Sequence, residues 1–138
     1  MLLSINVRAV TVKDYTKYDL TEIMVFASSY LNLPDTITVI VSTSHGNIAG
    51  FPSVTQKVTE HIYTILIDEN MSRIEAEKTI VHELAHVKQF VTGDLVILDA
   101  MHFIYKGKKH EINPKYHYDE PQERDARNVA HTIYFKYR

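Results

Sequence analysis

The strongest constraint on the fold lies between Ser72 and Gly93. Ser72 and Glu75 have the Ser-x-x-Glu spacing of a capping box, in which each side chain satisfies a free backbone N–H at a helix start. Gly93 accepts the left-handed conformation in which many helices end. Between them Ile80, Leu84, Val87 and Val91 follow the i, i+4, i+7, i+11 spacing of a packed face. A long helix with one side in a core is therefore expected here.

Other elements can be placed around it. Leu20, Ile23, Met24, Ala27, Tyr30 and Leu31 recur at helical spacing and stop before Pro34, which predicts a first helix over about residues 14 to 32. Thr36 to Ser42 is rich in β-branched residues and leads into a Ser, Thr, Gly and Asn cluster, the pattern of a strand and a turn. His61 to Ile67 repeats the strand signal with both faces largely apolar. Leu95 to Leu98 and His102 to Lys106 predict short strands, with Lys106 to His110 as a hairpin tip and a return strand ending near Ile112. A last helix is expected from near Pro121, with Asp119 and Gln122 as its capping box and Ala126, Val129, Ala130, Ile133, Tyr134 and Tyr137 on its apolar face. The fold class expected is α+β, with residues 1–138 in one domain and a small mixed or antiparallel sheet packed on three helices.

Composition narrows the function. A net charge of −2 provides no general attraction for a phosphate backbone, so nucleic acid is not an expected partner. The lysines at 106, 108 and 109 read as a solvated hairpin tip. No apolar run approaches the ~20 residues that span a bilayer, and residues 1–8 lack the basic and apolar regions of a signal peptide, so no membrane partner and a cytoplasmic location are expected. Without cysteine, any zinc site must use His, Asp or Glu.

Inside the long helix stands His82-Glu83-Leu84-Ala85-His86. Residues four apart on a helix lie ~40° apart around its axis, so both imidazoles can reach one ion. Glu83 falls beside that arc, where it can act on a metal-activated water as a general base without being a ligand. A third ligand is needed, with one position left for water. Glu123 is the leading candidate, because it precedes Ala126 and Ala130 on the inward stripe of the last helix. Glu120, one turn earlier, His117 and Asp119 are rivals; Asp125 points the opposite way. His45, His61, His102 and His110 have no ligand spacing to the motif. Tyr116, His117, Tyr118 and His131 are candidate donors to an oxyanion, none of them assigned.

Val81 to Phe90, followed by Thr92 to Leu95, a hairpin segment and Pro121 to Ala126, resembles the small gluzincin-like zinc metallopeptidases of bacteria and phages. The resemblance runs from about Thr36 to Ala130. It implies a zincin-like fold: an active-site helix, a small sheet whose edge strand holds an extended peptide, and a second helix supplying a glutamate. It also implies Zn2+ on His82, His86 and Glu123, Glu83 as general base and acid, and a peptide or protein substrate. His61 to Ile67 reads equally as that edge strand, open to β-augmentation, or as a core strand. Three positions depart from the pattern: Gln122 stands where an aromatic residue is common, Asp125 where the second acid is usually Glu, and Arg127 where some relatives have a supporting acid. The competing expectation is a metal-stabilised binding or regulatory domain with little or no proteolytic activity.

Overall fold

A computed structural model describes residues 10–45, 51 and 53–138, the side chains of 114–116 excepted. The expectations for the amino terminus, part of the turn after the second strand, and Tyr116 fall outside the described residues. In chain order the elements are β1 (Thr11–Asp14), α1 (Thr21–Tyr30), β2 (Thr38–Ser44), β3 (Ser53–Lys57), β4 (Ile62–Asp68), α2 (Arg73–Thr92), β5 (Leu95–Ile97), β6 (His102–Tyr105), β7 (Lys108–Glu111), a 3-10 turn (Pro114–Asp119) and α3 (Pro121–Tyr137). The class is α+β.

The larger sheet has the order β1-β2-β4-β3. β1, β2 and β4 are parallel, and β3 pairs antiparallel with β4. His61 to Ile67 therefore does not form an edge. As β4, from Ile62 to Asp68, it lies between β2 and β3, and Tyr63, Ile65 and Ile67 point into the core. The edge beside α2 is β3, a strand whose short polar sequence carries no apolar alternation. The smaller sheet, β5-β6-β7, is antiparallel, as its hairpin signals predict. Its tip at Lys106 and Gly107 has positive φ at both residues, the conformation of a tight two-residue hairpin turn.

α2 begins and ends where the sequence places it. Ser72 Oγ accepts the Glu75 N–H, and Gly93 sits at φ 80°. Its Ile80, Val81, Leu84 and Val87 are buried with Val39 and Val41 of β2 and Ile65 of β4, which holds the helix against one face of the larger sheet.

Two helix boundaries differ from expectation. α1 starts at Thr21, not near residue 14, because Asp14 ends a strand and folds the following loop around its carboxylate. That carboxylate accepts the backbone N–H groups of Thr16 and Leu20 and the Thr16 hydroxyl. At α3 the N-cap is Glu120, with no side-chain cap bond, so the Asp119–Gln122 capping box does not form. The cause is Pro121, whose ring forces the preceding residue to extended backbone. Glu120 has φ −64° and ψ 145°, and Asp119 is left in the 3-10 turn. Among the described residues, no helix is long and apolar enough to cross a membrane.

Candidate metal centre

Two helices and one strand build the site. On α2, His82 and His86 project from the same face with their rings 4.8 Å apart and nearly perpendicular. α3 brings Glu123 across: Oε1 lies 3.0 Å from His82 Nε2 and Oε2 lies 2.8 Å from His86 Nε2. Ala126 and Ala130, buried on the same stripe, are small enough to let α3 approach α2.

One donor atom from each of His82, His86 and Glu123 lies within 4.8 Å of the others. Zinc held at ~2.0–2.2 Å in tetrahedral geometry needs ligand atoms about 3.4 Å apart, so these three donors could hold a metal ion with little movement. Glu120 is not in this group. Its Oε1 is 2.6 Å from His117 Nδ1, while His117 Nε2 lies 3.4 Å from Glu123 Oε1. Asp119 does not join the cluster, and Asp125 faces away, accepting the Tyr105 hydroxyl at 2.6 Å with Lys106 Nζ at 3.4 Å.

Orientation comes from a supporting set that sequence reasoning missed. Gln89 Oε1 lies 2.8 Å from His86 Nδ1, which turns Nε2 toward Glu123. The Gln89 amide in turn donates to the backbone carbonyl of Gln122 at 2.9 Å, joining α2 to the first turn of α3. A Gln three residues after a candidate ligand on the same helix face was the available signal. Glu83 is buried, and its carboxylate accepts Ser53 Oγ at 2.6 Å on one oxygen and Thr55 Oγ1 on the other. Both hydroxyls come from β3. They alternate with Val54, so they share one face of the strand.

The electrostatics follow from this packing. Burial opposes protonation of His86, but the Glu123 hydrogen bond, the charge of Glu83 and the bond to Gln89 override it and lift its pKa to about 9. Burial likewise raises the pKa of Glu123, yet His117, His82 and His86 together hold it far below the usual carboxylate range. His117 is raised against burial by Glu123 and Glu120, and Glu120 is raised mainly by burial.

Two cavities flank the cluster. The larger, about 780 Å³, reaches along α2 and α3 past Lys78, Arg127 and Tyr134; the smaller, about 220 Å³, runs under the β5-β6 hairpin. They share Phe51, Ser53, Glu83, His117 and Glu123 in their walls. Tyr118 and His131 line the larger one. Arg127 is not part of the donor cluster: its guanidinium stacks 3.6 Å from the Tyr118 ring centre and donates to the Tyr118 carbonyl. Comparisons with family models, curated proteins and solved structures each gave no match.

Proposed function

We propose that the protein is a zinc-dependent metallopeptidase of zincin-like fold. The observation that carries this reading is the joint placement of three donors, His82, His86 and Glu123, with Glu83 adjoining them on the same helix and facing the same pair of cavities. A His-His-Glu set without thiolates is the ligand class of catalytic zinc centres that keep a position open. Zinc, when bound, supplies a Lewis acid that acidifies water and polarises the scissile carbonyl.

The chain's own groups supply the rest. Glu83 takes the proton of the attacking water as its oxygen bonds to the peptide carbon, and returns a proton to the amine nitrogen as the C–N bond breaks. Ser53 and Thr55 hold the Glu83 carboxylate in position for both transfers. Among the described residues the outer edge of β3 is unpaired. An extended substrate adding to that edge would run past Glu83, so β-augmentation belongs to β3 in place of the segment at His61.

The alternative reading, a metal-stabilised binding or regulatory domain, draws on His117. Its Nε2 lies 3.4 Å from Glu123 Oε1 but outside the group of three donors, so it would have to move inward to complete the closed set of four protein ligands that structural zinc sites have. Zinc content and peptide turnover of wild type, His82→Ala and Glu83→Gln separate the two. A peptidase loses zinc in His82→Ala and loses cleavage with zinc retained in Glu83→Gln. Stoichiometric zinc without turnover favours the binding domain, and no zinc uptake at all refutes both.

A further inference from the structure

The two cavities beside the metal centre differ in chemistry, and the difference identifies a substrate class. This inference rests on the peptidase reading for its cleaved bond but not for its binding preference.

The lining of the larger cavity includes two cations, Lys78 of α2 and Arg127 of α3. Lys78 is exposed on α2, with its ammonium 5.5 Å from the Tyr134 ring centre. Arg127 is fixed by Tyr118 through stacking and a hydrogen bond to its carbonyl. Among the described residues neither cation has a carboxylate within salt-bridge distance. The carboxylates in the same wall, Glu83 and Glu123, are already engaged: Glu83 by two hydroxyls, Glu123 by imidazoles. A divalent cation in the centre would offset both charges and leave Lys78 and Arg127 uncompensated. A cleft lined by one sign of charge concentrates the opposite sign.

The smaller cavity has the contrary character. Val54, Phe90, Leu95, Ile97, Phe103 and Ile112 form an apolar part of its wall that the larger cavity lacks. At about 220 Å³ it is below the ~300–1,000 Å³ typical of clefts for whole small molecules, and it suits a single side chain. Besides Glu83 and Glu123, which both cavities share, its wall holds a third acid, Glu120, and neither Lys78 nor Arg127, so nothing in it favours a carboxylate. The same hairpin also exposes Val96, Leu98 and Met101.

We infer that the site takes an extended peptide carrying an acidic side chain on one side of the central bond and a large apolar side chain on the other. The acid lies toward Lys78 and Arg127, and the apolar residue fills the cavity under Ile97. Position along β3 supports the assignment, since the larger cavity meets the strand at Ser53 and the smaller one at Ser53, Val54 and Thr55. The two cavities thus follow one another along the edge on which a peptide would lie.

The test uses labelled peptides with Asp or Lys on one side of the central bond and Leu or Ser on the other, in both orders. Binding is read by fluorescence anisotropy with zinc-loaded Glu83→Gln protein, and cleavage by mass spectrometry with wild type. The Asp/Leu set is expected to bind at least about tenfold more tightly than the Lys/Leu or Asp/Ser sets. Lys78→Glu with Arg127→Glu should invert the charge preference and keep that for Leu. Ile97→Asp, at an exposed position, should reduce the preference for Leu only. Cleavage without charge or apolar preference, or a charge preference unmoved by the double reversal, overturns the inference and leaves the peptidase reading intact. Selective binding with no cleavage by wild type does the reverse. Neither binding nor cleavage overturns both.

Discussion

Ser53 donates its hydroxyl to Glu83 Oε1 at 2.6 Å, so the carboxylate beside the candidate metal centre is held by a strand 30 residues earlier in the chain. Thr55 holds the other oxygen. Ser53→Ala with Thr55→Val should therefore loosen Glu83 without touching a metal donor. The expected outcome is a fall in kcat of about 10–100-fold with zinc content unchanged, the range in which supporting hydrogen bonds act at metal sites. Loss of zinc in this variant would show that β3 supports the fold of the centre and not the proton transfer.

Gln89 makes the complementary prediction. Its amide fixes the His86 ring and ties it to the Gln122 carbonyl. Gln89→Leu keeps the volume but removes both bonds. Zinc affinity, measured by competition with a chromophoric chelator, should drop by about 10–100-fold.

The metal-free centre has a defined dependence on pH. The pKa of His86 is lifted to about 9, so its ion pair with Glu123 stabilises the folded chain fully below pH 6.5 and is lost as pH rises through about 9. Glu123 is depressed, so its contribution is present above about 4.5, its ordinary value, and is lost as the medium becomes strongly acidic. The Tm of the apoprotein should accordingly fall between pH 7 and pH 10. If zinc binds as proposed, its uptake at pH 7.5 must displace the His86 proton. Calorimetry in buffers of different ionisation enthalpy should detect release of about one proton, fading above pH 9.

Gly93 ends α2 at φ 80°, and a Cβ there would meet nothing within 4 Å. The cost of Gly93→Ala is thus conformational, not steric. Urea unfolding should show a loss of about 1–2 kcal/mol with an unchanged m-value.

The sequence was most legible where local rules and tertiary packing agree. Ser72, Glu75 and Gly93 mark α2 within a residue because its caps are formed by its own chain. The apolar stripe through Ala126 and Ala130 also turns Glu123 toward α2, and the structure brings that carboxylate to both imidazoles. What was missed depends on partners distant in sequence. β1 is four residues long and exists by pairing with β2, and β3 has two polar hydroxyl residues facing Glu83 in place of an apolar alternation. In β3 the polar positions follow the hydrogen bonds to Glu83 and not burial, so hydrophobic periodicity passes over the strand. The cap of α3 moved by one residue because the constraint of Pro121 on Glu120 outweighs the match of Asp119 to a capping box.

His82 and Glu123 are 41 residues apart in sequence. In an unfolded chain they are not neighbours, so a cation that uses both binds the native state almost exclusively. At a free concentration 100-fold above its Kd, such an ion adds about 2.7 kcal/mol to stability, a large share of what small domains possess. The docking of α3 on α2 then answers to the surrounding supply of that ion. If the centre holds an ion as proposed, then where that ion is scarce the last helix would open more often and expose the chain to degradation, and the protein's abundance would follow the ion's availability.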